Sequence, residues 1–255
     1  MLLNYLLKLS IFGDFSNINL NNTGQNDSYV KLVNEFVKKK LLIGVQQEVM
    51  FEINPANSAP PVQTIIRRPT AFSSNGDLSI NFTGNRIDIQ WIMKHKDSNI
   101  TDKDFIGKAQ SYLQDILDAY KISFNRIAIN MEDILVEFSE DAAENIFKKM
   151  ANPSLEFYKH NKIKEWNTRF TCVSTIEEIS KDINIITTVK RAKRNFSWEK
   201  NVAVDCISVL YDINSAVPKN NKLDKLKITD SEKEILINKY MDYYQKIHKE
   251  IFDKN

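Results

Sequence analysis

The sequence is poor in the residues that most often carry chemistry. Of its 255 residues only two are cysteine, Cys172 and Cys206, and three are histidine, His95, His160 and His248. Cysteines so far apart make no disulfide framework. Both lie in apolar strand-like runs, RFTCVS and VAVDCISV, where a buried, reduced thiol is expected. No histidine has a cysteine or carboxylate at metal-ligand spacing, which argues against a zinc site. The six glycines form neither a phosphate-cradling loop nor a dinucleotide fingerprint. Lys and Arg exceed Asp and Glu by only two, so no polyanion-binding signature extends over the whole chain. No apolar run approaches the ~20 residues that span a bilayer. The opening MLLNYLLKLSIFGDF is interrupted by Asn4 and Lys8, and it lacks a basic start and a small-residue cleavage site. A cytoplasmic protein with no cofactor and no membrane contact is the expectation.

What the chain does contain is ordinary globular material, 42% hydrophobic and 27% charged, in a length that suits one large domain or two small halves. Leu6 to Phe15 reads as an opening strand broken at Gly13. A polar loop from Asn17 to Asn26 follows, then a helix capped by Asp27 or Ser28 with Val30, Val33, Val37 and Leu41 on one stripe. Lys38, Lys39 and Lys40 meet the negative end of its dipole. Val45 to Ile53 alternates as a strand, and Asn54 to Pro61, with Pro55, Pro60 and Pro61, excludes regular structure. Leu78, Ile80 and Phe82, the turn Thr83-Gly84-Asn85, and Ile87, Ile89 and Trp91 spell a hairpin.

Thr101 and Asp104 open a helix with Phe105, Ala109, Tyr112, Leu113, Ile116, Leu117 and Tyr120 on its apolar face. Phe124 to Phe138 reads as a strand pair or bent strand. Ser139 then caps a shorter helix that stops before Pro153. Three alternating runs follow, Thr168 to Ser174, Ile183 to Arg194 and Val202 to Ile213, then a polar connector with Pro218. Thr229 and Glu232 form a capping box for a last helix with Leu236, Tyr240, Tyr243, Tyr244, Ile247 and Ile251 inward. The order predicts an α+β protein, one antiparallel sheet or two with long amphipathic helices packed on one face. Two similar halves are expected, 1–153 and 154–255, packed as one unit.

Three strands open alike, at Asn85-Arg86-Ile87, Asn125-Arg126-Ile127 and Thr168-Arg169-Phe170. If these strands are neighbours, Arg86, Arg126 and Arg169 share a polar face with Asp88, Gln90, Asn130 and Thr171, and their guanidinium groups can take phosphate or carboxylate in bidentate fashion. A solvated face, or arginines already paired with Asp88, Glu132 or Glu137, is the competing reading. The run Lys190-Arg191-Ala192-Lys193-Arg194-Asn195-Phe196-Ser197-Trp198 is a second candidate, since cations beside aromatics suit a nucleic-acid backbone and its bases. A basic hairpin tip also serves to keep an edge strand from pairing. Asp88, Glu137 and Asp205 are strand carboxylates that can gather Mg²⁺ in a nuclease. Glu199-Lys200 is adjacent rather than spaced as nuclease motifs are, and Asp205, between Val204 and Cys206, reads as a buried acid.

The run Leu78 to Trp91, the helix Phe105 to Tyr120, the strand Phe124-Asn125-Arg126-Ile127-Ala128-Ile129-Asn130, and the close Val202-Ala203-Val204-Asp205 with His248 and Phe252 resemble a sporadically distributed bacterial family of uncharacterised proteins. The order of elements covers about three-quarters of the chain. It departs where an aromatic Tyr-Pro step usually precedes the first long helix and Lys94 to Thr101 stands here. The resemblance implies no assigned activity and no site residues. It suggests a bacterial or phage conflict system: defence, anti-defence or toxin–antitoxin. The function expected is a non-enzymatic macromolecule-binding protein, its partner most often another protein, with a homodimer as one form. The alternatives are a nucleic-acid-binding module using the basic aromatic hairpin and a metal-dependent nuclease.

Overall fold

Alternation of apolar and polar residues builds most of this molecule into one sheet. The computed structural model describes the chain except residues 23, 25, 53–61, 99, 152–163, 200–201, 217–226 and 254–255. The breaker segment at 54–61, His160, Lys200, the connector around Pro218 and the boundary at 153/154 all lie outside the described residues. Among those described, the strands are β1 (Leu2–Phe12), β2 (Leu42–Glu52), β3 (Val62–Phe72), β4 (Leu78–Phe82), β5 (Arg86–Ile92), β6 (Arg126–Leu135), β7 (Trp166–Ile176), β8 (Lys181–Asn195) and β9 (Ala203–Ser215). The helices are α1 (Asn26–Lys38), α2 (Asp102–Tyr120), α3 (Glu140–Ala151) and α4 (Asp230–Phe252).

All nine strands form a single antiparallel sheet in the order β2-β3-β4-β5-β1-β6-β9-β8-β7. The first strand in sequence is the middle strand in space. β1 pairs with β5 on one side and with β6 on the other. β6 in turn pairs with β9 over Ala128–Leu135, which fuses the early and late strands into one layer.

Long helices over one face of a sheet, assembled from similar halves, are therefore not the architecture. The sheet dominates, and the helices' main contacts reach only part of it. α2 packs on β1 and β5, α4 on β6 and β9, and α1 mostly on α2 with an edge against β2. Helical periodicity in the sequence marks an apolar stripe but not how much sheet that stripe covers. The wings of the sheet extend past the helices.

Period-two geometry sorts the middle strands into two faces. Leu7, Leu9 and Ile11 of β1 lie beside Ile87, Ile89 and Trp91 of β5, and beside Ile127, Ile129 and Met131 of β6. This face is buried under Phe105, Ala109, Leu113 and Ile116 of α2 and under Leu236, Tyr240 and Tyr244 of α4. Thr101 caps α2 by accepting from the Asp104 N–H, and Thr229 with Glu232 closes a full capping box on α4. No helix among the described residues is long and apolar enough to cross a membrane.

Candidate functional site

The basic aromatic segment is folded onto the sheet rather than held out as a tip. Arg191 points to the helix side and is 5% exposed. Its guanidinium forks onto both oxygens of Glu140 at 3.0 and 2.9 Å and reaches Asp205 at 2.7 Å, which ties β8 to the start of α3. Arg194, on the other face, bonds Glu132 at 2.6 Å and lies 4.2 Å from the Tyr5 ring centroid. Phe196 and Trp198 stack at 4.7 Å, and Phe196 joins Ile134, Val136 and Cys206 in a small second core. The Ser197 hydroxyl donates to the Lys94 carbonyl at 2.7 Å, closing this segment across the sheet. Lys190 and Lys193 remain exposed, but strand alternation sends them to opposite faces, with Lys193 opposite Asp205. Two of the four cations are spent on internal partners, and the other two do not form a stripe.

The three arginine-bearing strands are not neighbours. β1 lies between β5 and β6, and β9 and β8 separate β6 from β7. Arg86 and Arg126 both face Phe12 in register, one from each side. Arg86 bonds Asp88 at 2.9 Å; Arg126 donates to Asn214 at 2.9 Å and stacks over the Phe12 ring at 4.8 Å. Arg169 lies at the far edge and has no partner among the described residues. A groove of about 380 Å³ runs on this face between Thr188, Lys190, Arg194, Glu132, Ser208 and Leu210. Glu132 neutralises Arg194 there and accepts from Ser208 at 2.7 Å, which leaves Lys190 and Lys193 as the groove's unpaired charges among the described residues.

The strand acids do not converge either. Asp88 accepts from Ser10, Glu137 meets Lys96, and Asp205 is bound to Arg191. Asp205 is not buried as its apolar neighbours predict; its side chain is 44% exposed because β9 begins there, before its ladder to β6 starts at Ile207. No group of three or more His, Cys, Asp or Glu suited to a metal ion occurs among the described residues. One acid cluster was invisible in the sequence. Asp133, fully buried in β6, accepts from Tyr244 at 3.1 Å and meets His248 Nδ1 at 2.8 Å. Burial, and then the Asp133 charge, push the Tyr211 and Tyr244 hydroxyls far above their ordinary pKa. No serine, threonine or cysteine among the described residues bonds His248, so the cluster fastens α4 to β6 and lacks a nucleophile. The signal was a carboxylate inside the apolar run Ile127–Leu135, with a histidine on the last helix.

The features that remain open are the two wings. β3 pairs with β2 along its whole length but with β4 only over Thr70–Phe72. The β2–β3 hairpin therefore projects as an arm. Its base is held by the loop after β1, where the Leu20 N–H donates to the Arg67 carbonyl at 2.8 Å and Asn21 to the Ile65 carbonyl at 2.9 Å. Val45, Val49, Phe51 and Ile65 are exposed on one side of the arm, from 46% to 63%, with Met50 behind them. At the other end, β7 is an edge strand with seven of its eleven residues exposed, including Phe170 and Val173. Cys172 is exposed too, contrary to the buried thiol expected, because no layer among the described residues covers this edge; Cys206 is buried, and burial raises its thiol pKa.

Comparison with known families, curated proteins and solved structures found no match.

Proposed function

We propose that this chain is a non-enzymatic binding protein that takes hold of another protein with the β2–β3 arm. One observation carries the reading: Val49, Phe51 and Ile65 form an exposed apolar cluster, with Val45 farther along the same face, on a hairpin whose ladder to β4 is only three residues long. A two-stranded hairpin is marginal in water, and clustered exposed apolar residues mark an interaction surface. The partner surface is correspondingly apolar, either a complementary patch or an extended segment that lengthens the sheet. Two unbonded cysteines, one of them exposed, suit a reducing cytoplasm. The setting in a bacterial or phage conflict system rests on the likeness of the Leu78 to Asn130 run to the family described above.

The test compares the wild-type protein with a Val49→Lys, Phe51→Asp variant by cross-linking capture in the native host. The partner enriched by the wild type is then purified and titrated against both. At least a tenfold weaker Kd in the variant, with unchanged melting, is expected, since buried apolar anchors dominate such interfaces. Equal affinity of the two proteins removes the arm from the reading. Mg²⁺-dependent cleavage of DNA or RNA by the purified chain, abolished by Asp88→Ala or Asp205→Ala, removes the non-enzymatic reading itself.

A further inference from the structure

We infer that two copies of this chain join edge to edge through β7, in antiparallel register about Thr171. β7 offers eleven residues of edge, about 37 Å at ~3.4 Å per residue, with no strand on its outer side among the described residues. It lacks the usual protections against pairing: it holds no proline, no glycine and a single charge, Arg169, and its ladder to β8 is unbroken by any bulge. Its residues are Thr, Val, Phe, Ile and Trp to an unusual degree, the types that favour strands.

The occupant is fixed by the strand's own symmetry. A two-fold axis normal to the sheet keeps the faces of both copies aligned, and only a centre at Thr171 pairs all eleven residues. In that register Trp166 meets the second copy's Ile176, Phe170 meets its Cys172, and Arg169 meets its Val173. No like charges are opposed. A centre at Arg169 sets two guanidinium groups against each other, and centres at Phe170 or Cys172 shorten the ladder.

Charge points the same way. Among the described residues, Lys164, Arg169 and Lys190 stand around the start of β7 with the acid Glu165; around its end stand Glu177, Glu178 and Asp182 with the cations Lys181 and Lys239. Of these, Glu178 already meets Lys239 and Lys181 meets Glu232. Antiparallel pairing brings the basic end of one copy to the acidic end of the other, and parallel pairing opposes like with like. The joint forms one continuous sheet with the helices of both copies on the same side, a closed isologous dimer. It is separate from the arm, so failure of either leaves the other standing.

Sedimentation velocity over a concentration series of the full chain tests it, with two charge variants at Val173, a side chain 63% exposed and so free of the core. Val173→Glu faces the second copy's Arg169 and tightens the dimer about 3- to 10-fold, while Val173→Lys weakens it by a similar factor, as expected for two symmetric cross-strand pairs. Phe170→Cys, in a Cys206→Ser background with oxidised glutathione, gives a disulfide to the second copy's Cys172. A chain that stays monomeric at its highest soluble concentration overturns the inference. So does a dimer indifferent to both Val173 charges, or one dissolved by Val49→Lys on the arm instead.

Discussion

Each wing of the sheet is organised around one buried arginine, and the two are held in opposite ways. Arg68, 1% exposed in β3, gives its Nε to Glu48 at 2.6 Å and Nη1 to the carbonyls of Phe15 and Ile18 at 2.9 and 2.6 Å. Arg191 in β8 gives its whole fork to two carboxylates, Glu140 and Asp205, that are themselves about half exposed. Arg68 thus satisfies backbone groups at the two points of a polar loop, Phe15 and Ile18, that are fully buried. Water can reach Glu140 and Asp205 if Arg191 is lost; it cannot readily reach the two carbonyls. The contrast shows that a buried charge is costly to remove in proportion to what its partners can do without it.

That contrast is broken or sharpened by substitution. Arg68→Ala is expected to cost about 3 kcal/mol in urea unfolding, because it strands two carbonyls and a partly buried carboxylate. Arg191→Ala should cost about 1–2 kcal/mol, its former partners turning to solvent; equal losses at the two sites end the comparison. On the Arg191 side, Glu232 joins β8 to α4 through Lys181 at 3.0 Å. Burial raises the Glu232 pKa, but hydrogen bonds from Thr229 and Lys181 outweigh it and leave the group below the ordinary carboxylate value. Its contribution is therefore fully present above the unfolded value of about 4.3 and is lost as pH falls through the lower folded value. Glu232→Gln should cost about 1 kcal/mol near neutrality and flatten the acid limb of the stability profile; an unchanged limb rejects that role. Smallest of all, Val49→Thr on the arm should change stability by less than ~0.5 kcal/mol, since its side chain is already wet. A larger loss in calorimetry means the arm is packed in the free protein.

Much of the local structure was legible in the residues. The Leu78–Phe82 and Arg86–Ile92 hairpin, the Thr101 and Thr229 caps and the three late strands all fall where alternation and capping chemistry put them. β3 was not legible. Arg67, Arg68 and Pro69 hide it, because a buried arginine and a proline argue against a strand, and both are accommodated only where the ladder to β4 stops. Phe124 to Phe138 reads as a strand pair or one bent strand and is a single strand over Arg126–Leu135, with Asn130 and Glu132 facing the helix-free side. Strand order lies beyond period-two reasoning altogether: it reveals which face a residue takes, not which strand lies beside it. For that reason the residues leave open whether the three arginines, similar in local sequence, share a site; Arg86 and Arg126 flank Phe12, and Arg169 stands at the far edge. Exposure on the wings was equally hidden. Phe170 and Val173 carry the same alternation as buried strand residues, and what distinguishes them is that no layer among the described residues covers them.

The central position of β1 has a consequence for how the chain reaches this form. Leu2–Phe12 is synthesised well before its two neighbours, Arg86–Ile92 and Arg126–Leu135, and β9 must arrive before β6 is enclosed. The apolar stripe Leu7, Leu9 and Ile11 therefore waits without its mates while the intervening residues are made. Such distant pairings close slowly, on the order of milliseconds to seconds, and expose sticky intermediates meanwhile. Newly made chains will lean on holdase chaperones, and the yield of native protein will rise as synthesis is cooled.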